Sequence, residues 1–166
     1  PGSTVGEALT NNPDVSGVTF TGSMQVGMEI YRKFANRKHP HPVILEMGGK
    51  NPTIISKNAD LEDAAVGCLR SAFGLQGQKC SANSRIFVER ELYEPFVKRL
   101  VALTREIAIG DPTQQVNWFG PVVNKKAYED FKKFSDELKK SGTILTGGKH
   151  LLENGMENGF FCAPTI

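Results

Sequence analysis

The sequence predicts an α/β fold with a mainly parallel sheet and helices on both faces. Two observations lead to this prediction. Short runs rich in β-branched residues alternate along the chain with longer stretches of helical periodicity, as in proteins built from strand–helix–strand units. The run VSGVTF at residues 15–20 also has the composition of a short strand buried in a parallel sheet.

The first half of the chain alternates helix and strand. Residues 1–12 predict a turn and a short helix, because their apolar side chains have helical spacing. The strand at 15–20 leads through a Gly-Ser turn into a helix at Met24–Ala35. Strands at Val43–Met47 and 52–56 follow, separated by a Gly-Gly turn.

The second half continues the alternation with longer helices. Asp60 is placed to cap a helix whose apolar residues fall on one side. An amphipathic helix ends at a Gly-Asp-Pro turn, and a charged helix ends at a Ser-Gly pair. The helices are predicted at residues 61–73, 92–107 and 125–140, and the strands at 86–89 and 143–146.

Composition excludes several classes of function. The 166 residues carry 20 Lys+Arg against 18 Asp+Glu, so no strong field favours nucleic acid or a membrane surface as a partner. No apolar run approaches the length of a membrane span. The three cysteines have spacings that match neither a disulfide framework nor a zinc site, which predicts a reducing, cytoplasmic location.

Cys80 lies in the stretch FGLQGQKCSANSR, among small and polar residues. Structural cysteines usually sit on apolar faces, so this setting suits a thiol that is presented to solvent. The ammonium of Lys79, or amide groups at a turn, would favour the nucleophilic thiolate. The alternative is an ordinary, partly buried cysteine that packs as a small hydrophobe. These residues alone leave both interpretations open.

The other cysteines and two of the histidines are predicted to be structural. Cys68 lies on the apolar side of a predicted helix and Cys162 follows two phenylalanines, so both are expected in the core. His39 and His41 flank a proline in a linker, with no cysteine or carboxylate at ligand spacing. No metal site is therefore predicted.

Gly22 and Ser23 lie between a predicted strand and the start of a helix. Free amide groups and the positive end of the helix dipole make such a turn suitable for a phosphate. The turn is not a P-loop, because Met28 and Glu29 stand where Lys and Ser or Thr are needed. The alternative is that Ser23 only caps the helix.

Glu46 is a carboxylate near the end of an otherwise apolar strand, just before Gly48-Gly49. If it were buried, desolvation would make it a better proton acceptor and so a candidate general base. The alternative is that Glu46 reaches water at the strand end or pairs with Lys50.

Several short motifs, in the same order along the chain, resemble those of the aldehyde dehydrogenase superfamily. FTGSMQVG at residues 20–27 resembles its F-T-G-S-x-x-V-G coenzyme turn. EMGGKNP at 46–52 resembles its E-L-G-G-K-x-P glutamate motif, and GQKC at 77–80 its G-Q-x-C cysteine motif. The resemblance extends over essentially the whole chain.

The resemblance implies a mechanism of aldehyde oxidation. The thiolate of Cys80 would attack the aldehyde to give a thiohemiacetal, and transfer of hydride to NAD or NADP would leave a thioester. Glu46 would then activate water to hydrolyse the thioester to the carboxylic acid. The backbone N–H of Cys80 would form half of the oxyanion hole.

The resemblance also implies where the coenzyme binds. Gly22, Ser23 and Val26 would line the pyrophosphate and adenine end of the dinucleotide, and Met47 would lie near the nicotinamide. The choice between NAD and NADP stays open, because in the family it depends mostly on a segment upstream of the motifs present here.

Within the superfamily, residues 71–82 and 46–49 resemble the 1-pyrroline-5-carboxylate dehydrogenases, which oxidise glutamate semialdehyde to glutamate. Two alternatives stay open: a dehydrogenase of another aliphatic aldehyde or semialdehyde, and a non-catalytic structural or interaction module with the same fold.

Family members are much longer than this chain, which does not begin with Met. The resemblance therefore implies an excised piece that is inactive alone. Residues 1–45 would be the C-terminal remnant of the NAD(P)-binding domain, and residues 46–166 the N-terminal part of the catalytic domain. It also implies that the parent protein is a homo-oligomer.

Overall fold

The computed structural model describes residues 2–166, which divide into two compact units. One unit ends at Gly49, and the other runs from Lys50 to Ile166. Each unit contains its own pair of parallel strands and its own helices. The domain boundary that the family resemblance implies between residues 45 and 46 stays a prediction.

The first unit is a pair of parallel strands connected by a helix. In chain order it contains a π-helical turn at Gly2–Gly6, then α1 (Glu7–Asn11), β1 (Val18–Gly22), α2 (Met24–Ala35) and β2 (Val43–Met47). β1 and β2 pair in a register that runs from Val18 opposite Val43 to Gly22 opposite Met47. Because the strands are parallel, their carboxyl ends lie side by side.

Helix α2 packs closely against β2. Its buried residues are Gly27, Ile30 and Phe34, which recur at helical spacing on one face. A Cβ atom at Gly27 would lie 2.8 Å from the Sδ atom of Met47. Glycine at this position therefore lets the helix backbone approach the end of β2 directly.

β1 begins three residues later than the sequence predicts. The guanidinium of Arg37 donates hydrogen bonds to the carbonyl of Val15 and, at 2.9 and 3.0 Å, to those of Thr10 and Asn12. The backbone at Val15 is thus bound by a side chain instead of joining the sheet. The prediction of strand at residues 15–17 is therefore wrong.

The second unit is larger and contains the main hydrophobic core. In chain order its elements are β3 (Asn51–Ile55), α3 (Leu61–Phe73), a 3-10 turn at Gly74–Gly77, β4 (Asn83–Val88), α4 (Arg90–Arg105), α5 (Lys125–Ser141) and a 3-10 turn at Met156–Asn158. Asp60 caps α3 as predicted, because its side chain accepts a hydrogen bond from the N–H of Asp63 at 2.9 Å.

β3, α3 and α4 contribute the buried side chains of this core. They are Ile55, Ala65, Cys68, Phe96 and Leu100. The predicted core position of Cys68 is confirmed. The apolar stripes of α3 and α4 face each other over one face of the β3–β4 pair, so these elements depend on one another for stability.

β4 begins earlier than predicted because its first residues pair with the start of β3. Asn83 lies opposite Asn51, and Arg85 lies opposite Pro52, with an irregularity in register between the two pairs. The polar start of this strand carries no apolar signal, which is why the sequence predicts strand only for residues 86–89.

The prediction of a strand at residues 143–146 is wrong. The backbone groups of Leu145 and Thr146 hydrogen-bond with the single residue Ile166. A strand needs a run of successive partners, whereas this pairing does not extend along the chain.

The α/β fold class and the parallel strand pairing are confirmed. Both pairs are parallel, and helices alternate with strands in each unit. None of the helices within residues 2–166 has the length and apolar character that crossing a membrane requires.

We predict that the Phe96→Ala substitution destabilises the second unit by about 3–5 kcal/mol, because it empties a core site. Phe96 is 1% exposed, whereas Phe87 is 57% exposed and provides a matched control. Phe87→Ala is expected to cost about 1 kcal/mol or less. Urea unfolding followed by the fluorescence of Trp118, the one tryptophan of the chain, measures both. Equal losses for the two variants would contradict this packing.

Candidate functional site

Cys80 is exposed to solvent in the second unit. It lies in the loop between the 3-10 turn at Gly74–Gly77 and β4. Its neighbours in sequence are small or polar. Of the two interpretations that the sequence leaves open, exposure agrees with a presented thiol and not with a partly buried one. Its chemical role stays a prediction.

The other two cysteines are buried and poorly suited to nucleophilic chemistry. Burial raises the pKa of the Cys68 thiol, while hydrogen bonds with Thr53 and Asn83 oppose the shift. Burial raises the pKa of Cys162 to about 11. Near neutral pH both groups are therefore thiols, and neither is open to a small molecule in solution.

The 3-10 turn that leads into the Cys80 loop contains three successive residues in the left-handed region. The φ angles of Leu75, Gln76 and Gly77 are 52°, 57° and 69°. Glycine is required at the third position, because a Cβ there would lie 2.8 Å from the carbonyl oxygen of Ala72. This tight turn lies between the end of α3 at Phe73 and the segment that carries Cys80.

Side-chain hydrogen bonds connect the loop to other segments of the chain. The Nδ2 group of Asn51 donates to the carbonyl oxygens of Cys80 and Ala82, at 2.6 and 3.1 Å. Gln78, inside the loop, accepts a hydrogen bond from the N–H of Val123 at 2.9 Å. Sequence reasoning missed the contributions of Asn51 and Gln78, although both lie within the short motifs that carry the family resemblance.

Ser23 caps α2 in the first unit. Its side-chain oxygen accepts a hydrogen bond from the N–H of Val26 at 3.3 Å, and its carbonyl accepts one from the N–H of Gly27 at 3.0 Å. The prediction that Ser23 caps the helix is therefore confirmed. It does not exclude an anion at the same turn, because the first amides of any helix have no acceptor within that helix.

The parallel register of β1 and β2 brings the predicted coenzyme residues together. Gly22 lies opposite Met47, and Thr21 lies opposite Glu46, with Ser23 immediately beyond. The structure thus gathers these positions at one end of a strand pair. The carboxyl end of parallel strands is where ligands bind in open α/β sheets.

The Glu46 side chain is exposed to solvent. Residues along β2 alternate between half-buried and exposed, and Glu46 falls on the exposed side between Leu45 and Met47. The alternative that Glu46 reaches solvent is therefore the correct one for this chain. Its assignment as a general base stays a prediction.

A cavity of about 660 Å³ lies beside the β1–α2 turn. The predicted residues Gly22 and Val26 line it, together with the apolar side chains of Phe20, Ile30 and Leu9. Polar residues also line the cavity. Among them, Glu7 and Lys33 form an ion pair, with 3.3 Å between Oε1 of Glu7 and Nζ of Lys33. The sequence predicts the short helix α1 but not its place beside this cavity, because that packing is a tertiary contact with no local signal.

Within residues 2–166, no three His, Cys, Asp or Glu side chains are grouped so that they could hold a metal ion. His41 instead uses its ring in packing and hydrogen bonding. The ring lies edge-on to Phe34, and Nδ1 is 2.9 Å from the carbonyl oxygen of Ser16.

Comparison with known sequences gives one family over the whole chain. A sequence model described as "Aldehyde dehydrogenase family" matches residues 1–166. The chain is 41% identical over 169 residues to "1-pyrroline-5-carboxylate dehydrogenase 1" of Halalkalibacterium halodurans, covering 99% of this chain and 32% of that protein. It is 41% identical over 167 residues to "Alpha-ketoglutaric semialdehyde dehydrogenase" of Bacillus subtilis, covering 100% and 34%.

Solved structures agree with the sequence comparison. The structure of a 1-pyrroline-5-carboxylate dehydrogenase from Thermus with bound NAD matches with a TM-score of 0.90 and 34% identity, covering 99% of this chain and 32% of that one. The chain therefore spans about a third of the length of the relatives that it matches.

We predict that iodoacetamide at pH 8 modifies Cys80 of the folded chain and leaves Cys68 and Cys162 unmodified. At this pH about one Cys162 thiol in a thousand is ionised, because its pKa is about 11. Peptide mapping by mass spectrometry measures the modification of each residue. In denaturing urea all three should react at similar rates. Comparable labelling of the three thiols in the folded chain would contradict the burial described above.

Proposed function

The chain belongs to the aldehyde dehydrogenase family, and from this premise we propose that it forms part of an enzyme that oxidises an aldehyde to a carboxylic acid with NAD+ or NADP+. One observation carries the proposal. The cysteine of the G-Q-x-C motif, Cys80, is exposed, whereas Cys68 and Cys162 are buried. The chain thus offers one accessible thiol, at the position where the family's motif has its nucleophile.

Cys80 acts as the nucleophile in this proposal. Its thiolate sulfur attacks the aldehyde carbon, a C–S bond forms, and the carbonyl oxygen becomes the negatively charged oxygen of a thiohemiacetal. The backbone N–H of Cys80 donates a hydrogen bond to that oxygen. Bound NAD(P)+ supplies the acceptor for the hydride that leaves the thiohemiacetal carbon. The product held on Cys80 is then a thioester.

Glu46 acts as the general base that releases the acid. Its carboxylate takes a proton from water as the water oxygen attacks the thioester carbon, and the C–S bond then breaks to return the Cys80 thiolate. The position of Glu46 in the EMGGKNP motif supports this role, and its exposed side chain is open to water. A carboxylate at this position also favours hydrolysis over transfer of the acyl group to coenzyme A.

The residues at the end of the β1–β2 pair suit a dinucleotide. Amides at the start of α2, next to Gly22 and Ser23, would hold the pyrophosphate. The cavity of about 660 Å³ has a size common for ligand sites, and its wall at Val26 would contact the adenine end. Met47, opposite Gly22 in the strand pair, would lie near the nicotinamide. The enzyme is proposed to be a homo-oligomer, as the family resemblance implies.

Glutamate semialdehyde is the substrate that we propose, with glutamate as the product. The relative from Halalkalibacterium halodurans is named a 1-pyrroline-5-carboxylate dehydrogenase, the group that the motifs at residues 46–49 and 71–82 resemble. The relative from Bacillus subtilis is named for α-ketoglutaric semialdehyde at the same level of identity, so that compound is the second candidate. Both are short semialdehydes that carry a carboxylate, which makes this the substrate class of the proposal.

We predict that Cys80→Ala in the full-length protein abolishes aldehyde-dependent formation of NADH or NADPH, with a loss of at least about 10⁴-fold in kcat. Cys162→Ala is the matched control, because it removes a buried thiol with a raised pKa, and it should retain turnover. The absorbance of the reduced nicotinamide measures the turnover rate of each variant. A Cys80→Ala protein that still turns over would refute the assignment, and an inactive wild type would favour the non-catalytic alternative.

We predict that kcat/KM is at least about tenfold higher for glutamate semialdehyde than for an uncharged aliphatic aldehyde of similar length. The physical reason is that a carboxylate on the substrate can form charge-assisted hydrogen bonds that the uncharged aldehyde lacks. Steady-state rates with these two compounds and with α-ketoglutaric semialdehyde give kcat/KM for each and so rank the three substrates. Equal values for charged and uncharged aldehydes would remove the proposed substrate class, while leaving the oxidation itself in place.

A further inference from the structure

The loop before Cys80 has a conformation that its own sequence does not favour. Leu75 and Gln76 are consecutive non-glycine residues with φ angles of 52° and 57°. Such residues rarely adopt the left-handed region, because the Cβ atom crowds the backbone. A backbone of this kind persists only where surrounding groups hold it in place.

Gln78 holds the strained side of this loop. Its Nε2 group donates to the carbonyl oxygen of Leu75 at 3.2 Å, and its backbone N–H donates to the same oxygen at 3.0 Å. Its Oε1 atom accepts from the backbone N–H of Val123, 45 residues further along the chain, at 2.9 Å. The Gln78 side chain therefore hydrogen-bonds both within the turn, to Leu75, and to a segment distant in sequence, at Val123.

Asn51 holds the other side of the loop. It is the first residue of β3, and its Nδ2 group donates to the carbonyl oxygens of Cys80 and Ala82 across 29 and 31 residues of sequence. The carbonyl of Cys80 belongs to the peptide that follows the Cα atom from which the thiol side chain branches. Fixing that peptide restricts the ψ angle of Cys80, and with it the direction of the Cα–Cβ bond.

We propose that Asn51 and Gln78 are positioning residues that fix the direction in which the Cys80 sulfur is presented to an aldehyde. This inference rests on the proposed role of Cys80 as the nucleophile. Neither side chain needs to touch the substrate. Each acts through the backbone of the loop, Gln78 before the thiol and Asn51 after it.

The experiment compares Asn51→Ala and Gln78→Ala in the full-length protein with the wild type and Cys80→Ala. Asn117→Ala is the matched control, because the Nδ2 group of Asn117 also donates to a backbone carbonyl, that of Asp111 at 3.0 Å, in a loop without Cys80. For every variant, kcat, the KM for the coenzyme, the rate of Cys80 alkylation by iodoacetamide and the melting temperature are measured.

The expected result is a fall in kcat of about ten- to a hundredfold for Asn51→Ala and for Gln78→Ala, because attack needs a defined approach of the sulfur to the carbon. The KM for the coenzyme should change by less than about twofold, because the proposed coenzyme residues lie in the first unit. Alkylation should change by less than about threefold, because free iodoacetamide can approach the sulfur from many directions. Asn117→Ala should match the wild type.

The proposal is overturned if kcat is unchanged in both variants, or if kcat falls equally in Asn117→Ala. It is also overturned if kcat, alkylation and melting temperature fall together, since that pattern indicates general damage to the fold. Comparison of Cys80→Ala with the two positioning variants distinguishes failure of this inference from failure of its premise, the role of Cys80 as the nucleophile. If Cys80→Ala retains wild-type turnover, the proposed function is wrong and the inference falls with it. If Cys80→Ala is inactive while both positioning variants are fully active, the inference alone is wrong.

Discussion

The parallel pairing of β3 with β4 is the constraint on which the exposed thiol depends. The register sets Asn51 opposite Asn83, so the amide of Asn51 reaches back over the loop that precedes β4. That loop must reverse the chain tightly after α3, which is buried in the core of the same unit through Ala65 and Cys68. Between the buried helix and the strand, Cys80 is left outside the apolar core.

Parallel strand pairing also organises the first unit. β1 and β2 are parallel, so the residues at their carboxyl ends are neighbours although more than twenty positions separate them in sequence. Gly22 stands opposite Met47 through the register of the two strands, and α2 can approach the end of β2 closely because Gly27 has no side chain. The turn, the helix start and the strand end thus form one surface, at which a coenzyme is proposed to bind.

Much of this architecture can be predicted from the sequence, and the exceptions have identifiable causes. α2, β2 and α3 agree with their apolar patterns to the residue, because burial of one face governs both pattern and structure. β1 starts late because Arg37 binds the carbonyl of Val15, a tertiary contact that leaves no local signal. The left-handed backbone at Leu75 also leaves no signal in the sequence, because leucine is a residue that favours right-handed helix.

At the candidate site, the sequence identifies Cys80 and Glu46 by type and motif, but it leaves the burial of Glu46 open, and the alternation along β2 places that side chain on the exposed side. The most direct test of the account is mass spectrometry of the Glu46→Gln full-length protein after one turnover with aldehyde and coenzyme. The account predicts an acyl adduct on the Cys80 peptide, because oxidation proceeds while hydrolysis is slowed. An adduct on Cys68 or Cys162, or no adduct in an oxidising enzyme, would contradict it.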